Sequence, residues 1–145
     1  MLPFLRGLVI PVIGKTTKHT NALLKKEFTK AKVSLTKEQF IVLCYLQGGA
    51  KPQNSLAMIT ERNKGSLTRL VQTLERNEYI IRKCCKKDHR VNFVEISEKG
   101  QAIFEKTKPI VTAVYSKAQE NISEEDLRIT ISVLEKIQQN SNLKD

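Results

Sequence analysis

Two groups of side chains in the middle of the chain have the chemistry to read a polyanion that also carries hydrogen-bonding edges. The first is Lys64, Ser66, Thr68, Arg69 and Gln72; the second is Arg82, Lys83, Lys86, Lys87 and Arg90. An arginine matches two acceptors on the edge of guanine, and a glutamine amide matches the acceptor–donor pair of adenine, so Arg69 and Gln72 suit base edges. A series of lysines and arginines suits phosphates or entry into a minor groove. Enzyme chemistry is the least expected class. The sequence offers no glycine-rich phosphate cradle, no paired-carboxylate pocket and no plausible Ser/His/Asp set.

The elements that must position these groups are legible around them. Leu67, Leu70, Val71 and Leu74 recur at i, i+3, i+4 and i+7, which predicts a helix with the first group on its outer side. Asn63 suits the N-cap of that helix, and Gly65 lets its start come close to another backbone. A shorter helix is expected before it, from Pro52 to Glu61, burying Leu56, Ala57 and Ile59, with a turn at Glu61-Arg62-Asn63. Ile80 to Ile96 reads as a hairpin of two short strands that carries the second group. Asp88 near its tip has the wrong sign for phosphate and is expected to brace the hairpin by a charge-assisted bond to Arg90.

Outside this centre the cap signals are clear. Thr36-Lys37-Glu38-Gln39 reads as a capping box, with Leu35 and Phe40 as its staple, opening a helix that ends at Gly48-Gly49. Ser123 to Asp126 repeats the pattern, with Ile122 and Leu127, before a helix carrying Leu127, Ile131 and Leu134. A first helix runs from about Pro11 to Ala31. Ser97 caps a long helix with Ile103, Ile110, Val111, Val114 and Ala118 on one side and Pro109 inside it, where the missing donor should bend it. The apolar stripes of the first and last two helices exceed what one small domain can hide. A second subunit is the economical cover, the alternative being that the helices cover one another.

The order of helix, turn, basic helix and basic hairpin resembles the MarR family of bacterial transcription regulators. The resemblance rests on Leu56-Ala57, on Ser66-Leu67-Thr68-Arg69-Leu70-Val71 with Leu74-Glu75, and on Ile80-Ile81-Arg82. It continues through Asp88-x-Arg90 to Ile96-Ser97-Glu98-Lys99-Gly100, with Thr36 to Phe40 and Leu43 matching the preceding helix. It implies a mainly α fold with a small β-hairpin wing, a winged helix-turn-helix flanked by N- and C-terminal dimerisation helices. Residues 35–97 would form the DNA-binding region, and 1–34 with 98–145 the dimerisation region. It also implies a homodimer on a pseudo-palindromic double-stranded DNA site, and a repressor released by a small aromatic or amphipathic effector or another signal. The location implied is the bacterial cytoplasm. The family's junction glycine before the wing is here replaced by Glu78-Tyr79. A winged module that binds RNA or a protein, without reading bases, is the competing reading.

The charge and its distribution suit a phosphate-bearing partner, the alternative being a merely solvated basic surface. The 145 residues carry a formal net charge of +10. Residues 1–50 have eight basic against two acidic side chains and residues 51–90 ten against four, whereas residues 91–145 have seven against nine. Cys44, Cys84 and Cys85, with His19 and His89, form no metal-ligand spacing, so no metal and no cofactor is expected. Cys84 and Cys85, beside Lys83 and Lys86, are candidates for oxidation. The alternative is one packed inward and the other incidental, with Cys44 expected in the core. Met1 to Gly14 reads as an apolar arm that another surface must cover rather than a secretory signal, and no apolar run suits a membrane span.

Overall fold

Pro11 lies in the first turn of helix α1 (Val9–Lys30), where a missing N–H is harmless because the first amides of a helix have no intrahelical acceptor. The computed structural model describes residues 3–60, 63–88 and 90–142, and for Lys64 the main chain only. Helix α1 ends where Lys32 takes a left-handed φ of 54° and the Val33 amide donates to Phe28 O at 2.9 Å. That closure turns the chain into α2 (Lys37–Tyr45). The expected capping box is present: the Gln39 amide donates to Thr36 Oγ1 at 3.2 Å, and the Thr36 amide donates to Gln39 Oε1 at 2.9 Å. Leu35 and Phe40 are buried on either side of it.

The segment after α2 departs from expectation. Instead of a helix from Pro52, residues Lys51–Pro52 form a short strand β1, Gln53–Ser55 a 3-10 turn, and helix α3 spans Leu56–Thr60. Glu61 and Arg62 lie outside the described residues. Strand β1 pairs with β3 at the edge of the sheet, the place where a proline's missing donor leaves no gap in a ladder. Helix α4 (Lys64–Arg76) follows, then β2 (Ile80–Cys84) and β3 (Asn92–Ile96). The wing is therefore part of a three-stranded antiparallel sheet of order β1-β3-β2.

Helix α5 (Glu98–Ala118) runs without a break through Pro109. The chain divides within it into two compact units, Met1–Val114 and Tyr115–Asp145. The core of the first unit gathers Leu24 and Phe28 of α1, Val42 and Leu43 of α2, Leu56, the inner face of α4, Val94 of β3 and Phe104 of α5. Phe40 and Phe104 stack with ring centroids 5.4 Å apart. Burial of such side chains stabilises by roughly 1.5–3 kcal/mol each. In the second unit, Ser123 caps α6 (Glu124–Ser141) by accepting the Asp126 amide at 3.1 Å, while its own hydroxyl donates to the Asp126 carboxylate at 2.7 Å. No residue of α6 is buried.

Cys44 is not in the core. The inward face of α2 is centred on Gln39, Val42, Leu43 and Leu46, and Cys44 falls beyond its rim and is exposed. Its sulfur still lies near enough to packed protein that desolvation raises its pKa more than nearby Lys108 lowers it. Among the described residues, no helix is long and apolar enough to cross a membrane, and no group of three His, Cys, Asp or Glu side chains could hold a metal.

Candidate nucleic-acid interface

Asn63 starts the candidate reading helix. Its Oδ1 accepts the Ser66 amide at 2.9 Å, which satisfies one of the otherwise orphaned donors of α4, and its carbonyl accepts the first helical bond, from the Leu67 amide at 2.9 Å. Leu67, Leu70, Val71 and Leu74 are all buried, Val71 and Leu74 completely. That fixes the rotation of the helix, because turning it would expose four apolar side chains. Arg69 and Gln72 consequently face solvent, while Ser66 and Thr68 are half-buried and engaged with neighbours. The side chain of Lys64 lies outside the described residues.

The other end of α4 is closed by a turn that normally suits glycine. Glu78 adopts φ 62°, the Glu78 amide donates to Glu75 O, and the Tyr79 amide donates to Leu74 O, both at 2.9 Å. The left-handed turn is thus kept without its glycine. The contacts of the start of α5 bear directly on it. Ser97 donates its hydroxyl to Glu78 O at 2.5 Å and caps α5 by accepting the Gly100 amide at 2.9 Å. Lys99 Nζ lies 2.9 Å from Glu78 Oε2 and 5.7 Å from the Tyr79 ring centroid. That hydrogen bond and the lysine charge hold the Glu78 carboxyl below its ordinary pKa. A Cβ on Gly100 would stand 1.9 Å from Tyr79 O, so only glycine fits where α5 crosses the junction. The run Ile96 to Gly100 is therefore a fastening between helix, wing and α5.

Within the wing, Arg82 pairs across the sheet with Val94, Lys83 with Phe93 and Cys84 with Asn92. Alternation along β2 turns Arg82 toward α4, where its Nη2 lies 2.7 Å from Glu75 Oε2 in a part-buried ion pair. Lys83 on the opposite face meets Glu95 at 2.5 Å. The two stem residues of the expected basic set thus already have carboxylate partners. Lys86, Lys87 and Arg90 at the tip are exposed, and no ion pair involves them among the described residues.

The tip is shaped by main-chain bonds. The Cys85 amide donates to Val91 O at 2.8 Å and the Val91 amide to Asp88 O at 3.0 Å. Asp88 does hold Arg90, but the bond runs from the Arg90 main-chain amide to Asp88 Oδ1 at 3.0 Å rather than from the guanidinium. The carboxylate closes a local turn, as aspartates at turns do, and leaves the arginine head for other partners. Cys84 is exposed with its sulfur 3.6 Å from Asn92 Oδ1, and Cys85 is half-buried. Neither is packed into the core. His89 lies outside the described residues.

The contacts that hold this apparatus, beyond the Ser97 cap, join residues distant in the chain and leave no local sequence signal. Glu75, Glu95, Ser97 and Lys99 hold the stem and the junction. The Ser34 and Tyr79 hydroxyls, 3.3 Å apart, join the α1–α2 connection to the base of the wing. That connection borders a cleft of about 400 Å³ lined by Leu24, Phe28, Val33 and Leu35, with Lys25 and Lys37 beside them.

The chain is similar to known regulators along most of its length. A family model described as "Transcriptional regulator SarA/Rot" matches residues 17–107. The HTH-type transcriptional regulator MhqR of Bacillus subtilis (strain 168) is 26% identical over 126 residues, covering 87% of this chain and 86% of the relative. Solved structures share the fold, and two of them bear on the site. Sco3205, a MarR family transcriptional regulator from Streptomyces coelicolor in complex with DNA, superposes with a TM-score of 0.87 at 16% identity, over 99% of this chain and 92% of that one. BpsR of Bordetella bronchiseptica, whose DNA binding is regulated by 6-hydroxynicotinic acid, gives a TM-score of 0.81 at 17% identity, over 91% and 94%. On the extent of the family match, borne by a MarR-type winged-helix fold, this chain belongs to the SarA/Rot family of transcriptional regulators.

Proposed function

We propose that this regulator is a homodimer that binds a pseudo-palindromic duplex DNA site, represses from it, and is released by a small aromatic or amphipathic molecule. One observation carries the DNA reading. A helix locked in rotation by four buried leucine and valine side chains turns Arg69 and Gln72 outward, beside a wing whose tip offers Lys86, Lys87 and Arg90 to solvent. The helix reads base edges and the wing tip holds phosphates or enters a minor groove. Arg82 contributes by tying the wing to α4 through Glu75, so its part is positional.

Residues 35–97 act as the reading head, and 1–34 with 98–145 pair the subunits. Phe4, Leu8, Ile10 and Val12 are exposed at the start of the chain, and Ile129, Ile131 and Val133 are exposed on α6. Apolar groups left in water on separate helices favour a second copy as cover. Two heads then meet half-sites about one helical turn, roughly 10 bp, or a small multiple apart. The cleft between α1 and the start of α2 supports the effector reading, because it has apolar walls beside two lysines and adjoins the Ser34–Tyr79 bond to the wing base. A ligand preferring one setting of that connection shifts DNA affinity by its differential affinity for the two settings.

Selection from a random duplex pool at physiological salt tests the reading. The expected result is an enriched two-fold motif. A bound pool without enrichment, or tighter retention of an RNA pool, contradicts it.

A further inference from the structure

The outer face of α1 from Lys15 to Lys30 carries a charge pattern that lies outside the reading head and after Phe4, Leu8, Ile10 and Val12, the exposed apolar side chains offered above for subunit pairing. At about 100° per residue, Lys15, Lys18, His19, Lys25, Lys26 and Lys30 fall within an arc of about 140°, opposite the buried Leu24 and Phe28. All six are exposed. The one acid of α1, Glu27, is half-buried and pairs with Lys30 at 2.9 Å. Lys15, Lys18, Lys25 and Lys26 meet no carboxylate among the described residues. The exposed apolar side chains of α1 lie mainly before the lysines, at Val9, Ile10 and Val12.

A face serving solubility mixes its signs. Helix α5 does so, with Glu98 and Glu105 among its lysines, and α6 carries four acids against two basic residues. Helix α1 does not. From Lys15 to Lys30 the helix rises about 22 Å, the axial length over which one strand of a duplex presents about six phosphates. We propose that this face is a second, sequence-independent surface for the phosphate backbone of duplex DNA, additional to the winged head. The inference rests on the reading that duplex DNA is the partner. It adds affinity and salt dependence without adding sequence choice, because lysines on phosphates carry no base information.

The test measures fluorescence anisotropy of a random-sequence 30-bp duplex across a salt series. The head is first disabled with Arg69→Ala, Lys86→Gln and Lys87→Gln in the full chain. That protein should lose motif preference but retain weak, salt-steep binding. Adding Lys15→Gln, Lys18→Gln and Lys26→Gln should flatten the slope of log K against log salt by up to about 2.7, at about 0.9 for each phosphate no longer neutralised. The matching Lys→Arg triple should keep the slope, and a thermal melt by circular dichroism should be unchanged in both. In the otherwise intact protein the three glutamines should leave the selected motif as it was. An unchanged slope overturns the proposal, as does a slope lost equally in the arginine triple. Stronger retention of RNA or of anionic phosphatidylserine vesicles than of duplex overturns the choice of partner. If the intact protein selects no motif while random duplex is still held through α1, the head reading fails and this one stands. If a motif is selected and α1 is indifferent, this inference alone fails.

Discussion

Helix α4 and the wing are adjacent and similarly basic, yet they are held by different forces. The helix is anchored by four buried apolar side chains and closed at both ends by capping bonds. The wing buries few side chains in its strands, mainly Ile80 and Val94, and depends on polar ties: Arg82 to Glu75, Lys83 to Glu95 and the Asp88 turn. Rigid burial is what a reader of base edges needs, since an error of position misaligns paired hydrogen bonds. A polar, solvated hairpin suffices for phosphates, which accept charge from many directions. The contrast also divides the wing itself. Its stem arginine is paired with Glu75, whereas Lys86, Lys87 and Arg90 at its tip are exposed and in no ion pair among the described residues.

The junction at Gly100 joins both regions, so breaking it should have the largest effect. Gly100→Ala drives a methyl group into Tyr79 O and should destabilise the fold by roughly 1–3 kcal/mol or more, seen as a lowered midpoint in urea unfolding. Arg69→Ala should leave folding intact and cost roughly 1–3 kcal/mol of binding to the selected site, with relaxed choice at one base position. Arg82→Gln should reduce stability by up to about 1 kcal/mol, since the pair is partly exposed, and leave the salt slope unchanged. A slope reduced by about 1 would return Arg82 to the phosphate contacts. The smallest effect concerns Glu78. Its carboxyl pKa is depressed by the Lys99 hydrogen bond and charge, so its stabilising contribution is present above the unfolded value and fades as pH falls through the folded one. Lys99→Gln should return the Glu78 titration to the ordinary carboxylate range in an NMR pH series.

Much of this was legible in the sequence, for a physical reason. The capping box at Thr36 and Gln39, the Asn63 and Ser123 caps and the α4 stripe are local patterns whose partners lie within a turn or two. Features set by distant partners were not. Strand β1 exists because β3 lies beside Lys51 and Pro52, which no local propensity announces. Arg82 looked like one more cation of the wing until the end of α4 brought Glu75 to it. Cys44 fell outside the core by a fraction of a helical turn beyond Phe40, finer than an apolar stripe resolves. The missing junction glycine left the α4–β2 turn open, and Ser97 with Lys99 now account for contacts around Glu78 at φ 62°.

The central claim is that α4 chooses the sequence while the wing tip supplies charge. The most direct measurement compares Arg69→Ala with the Lys86→Gln, Lys87→Gln double variant on the selected duplex and on a scrambled one, each across a salt series. Arg69→Ala should narrow the gap between the two duplexes, whereas the lysine pair should weaken both alike and lower the salt slope by about 2. Equal loss on both duplexes for Arg69→Ala, or a narrowed gap for the lysine pair, would contradict the claim.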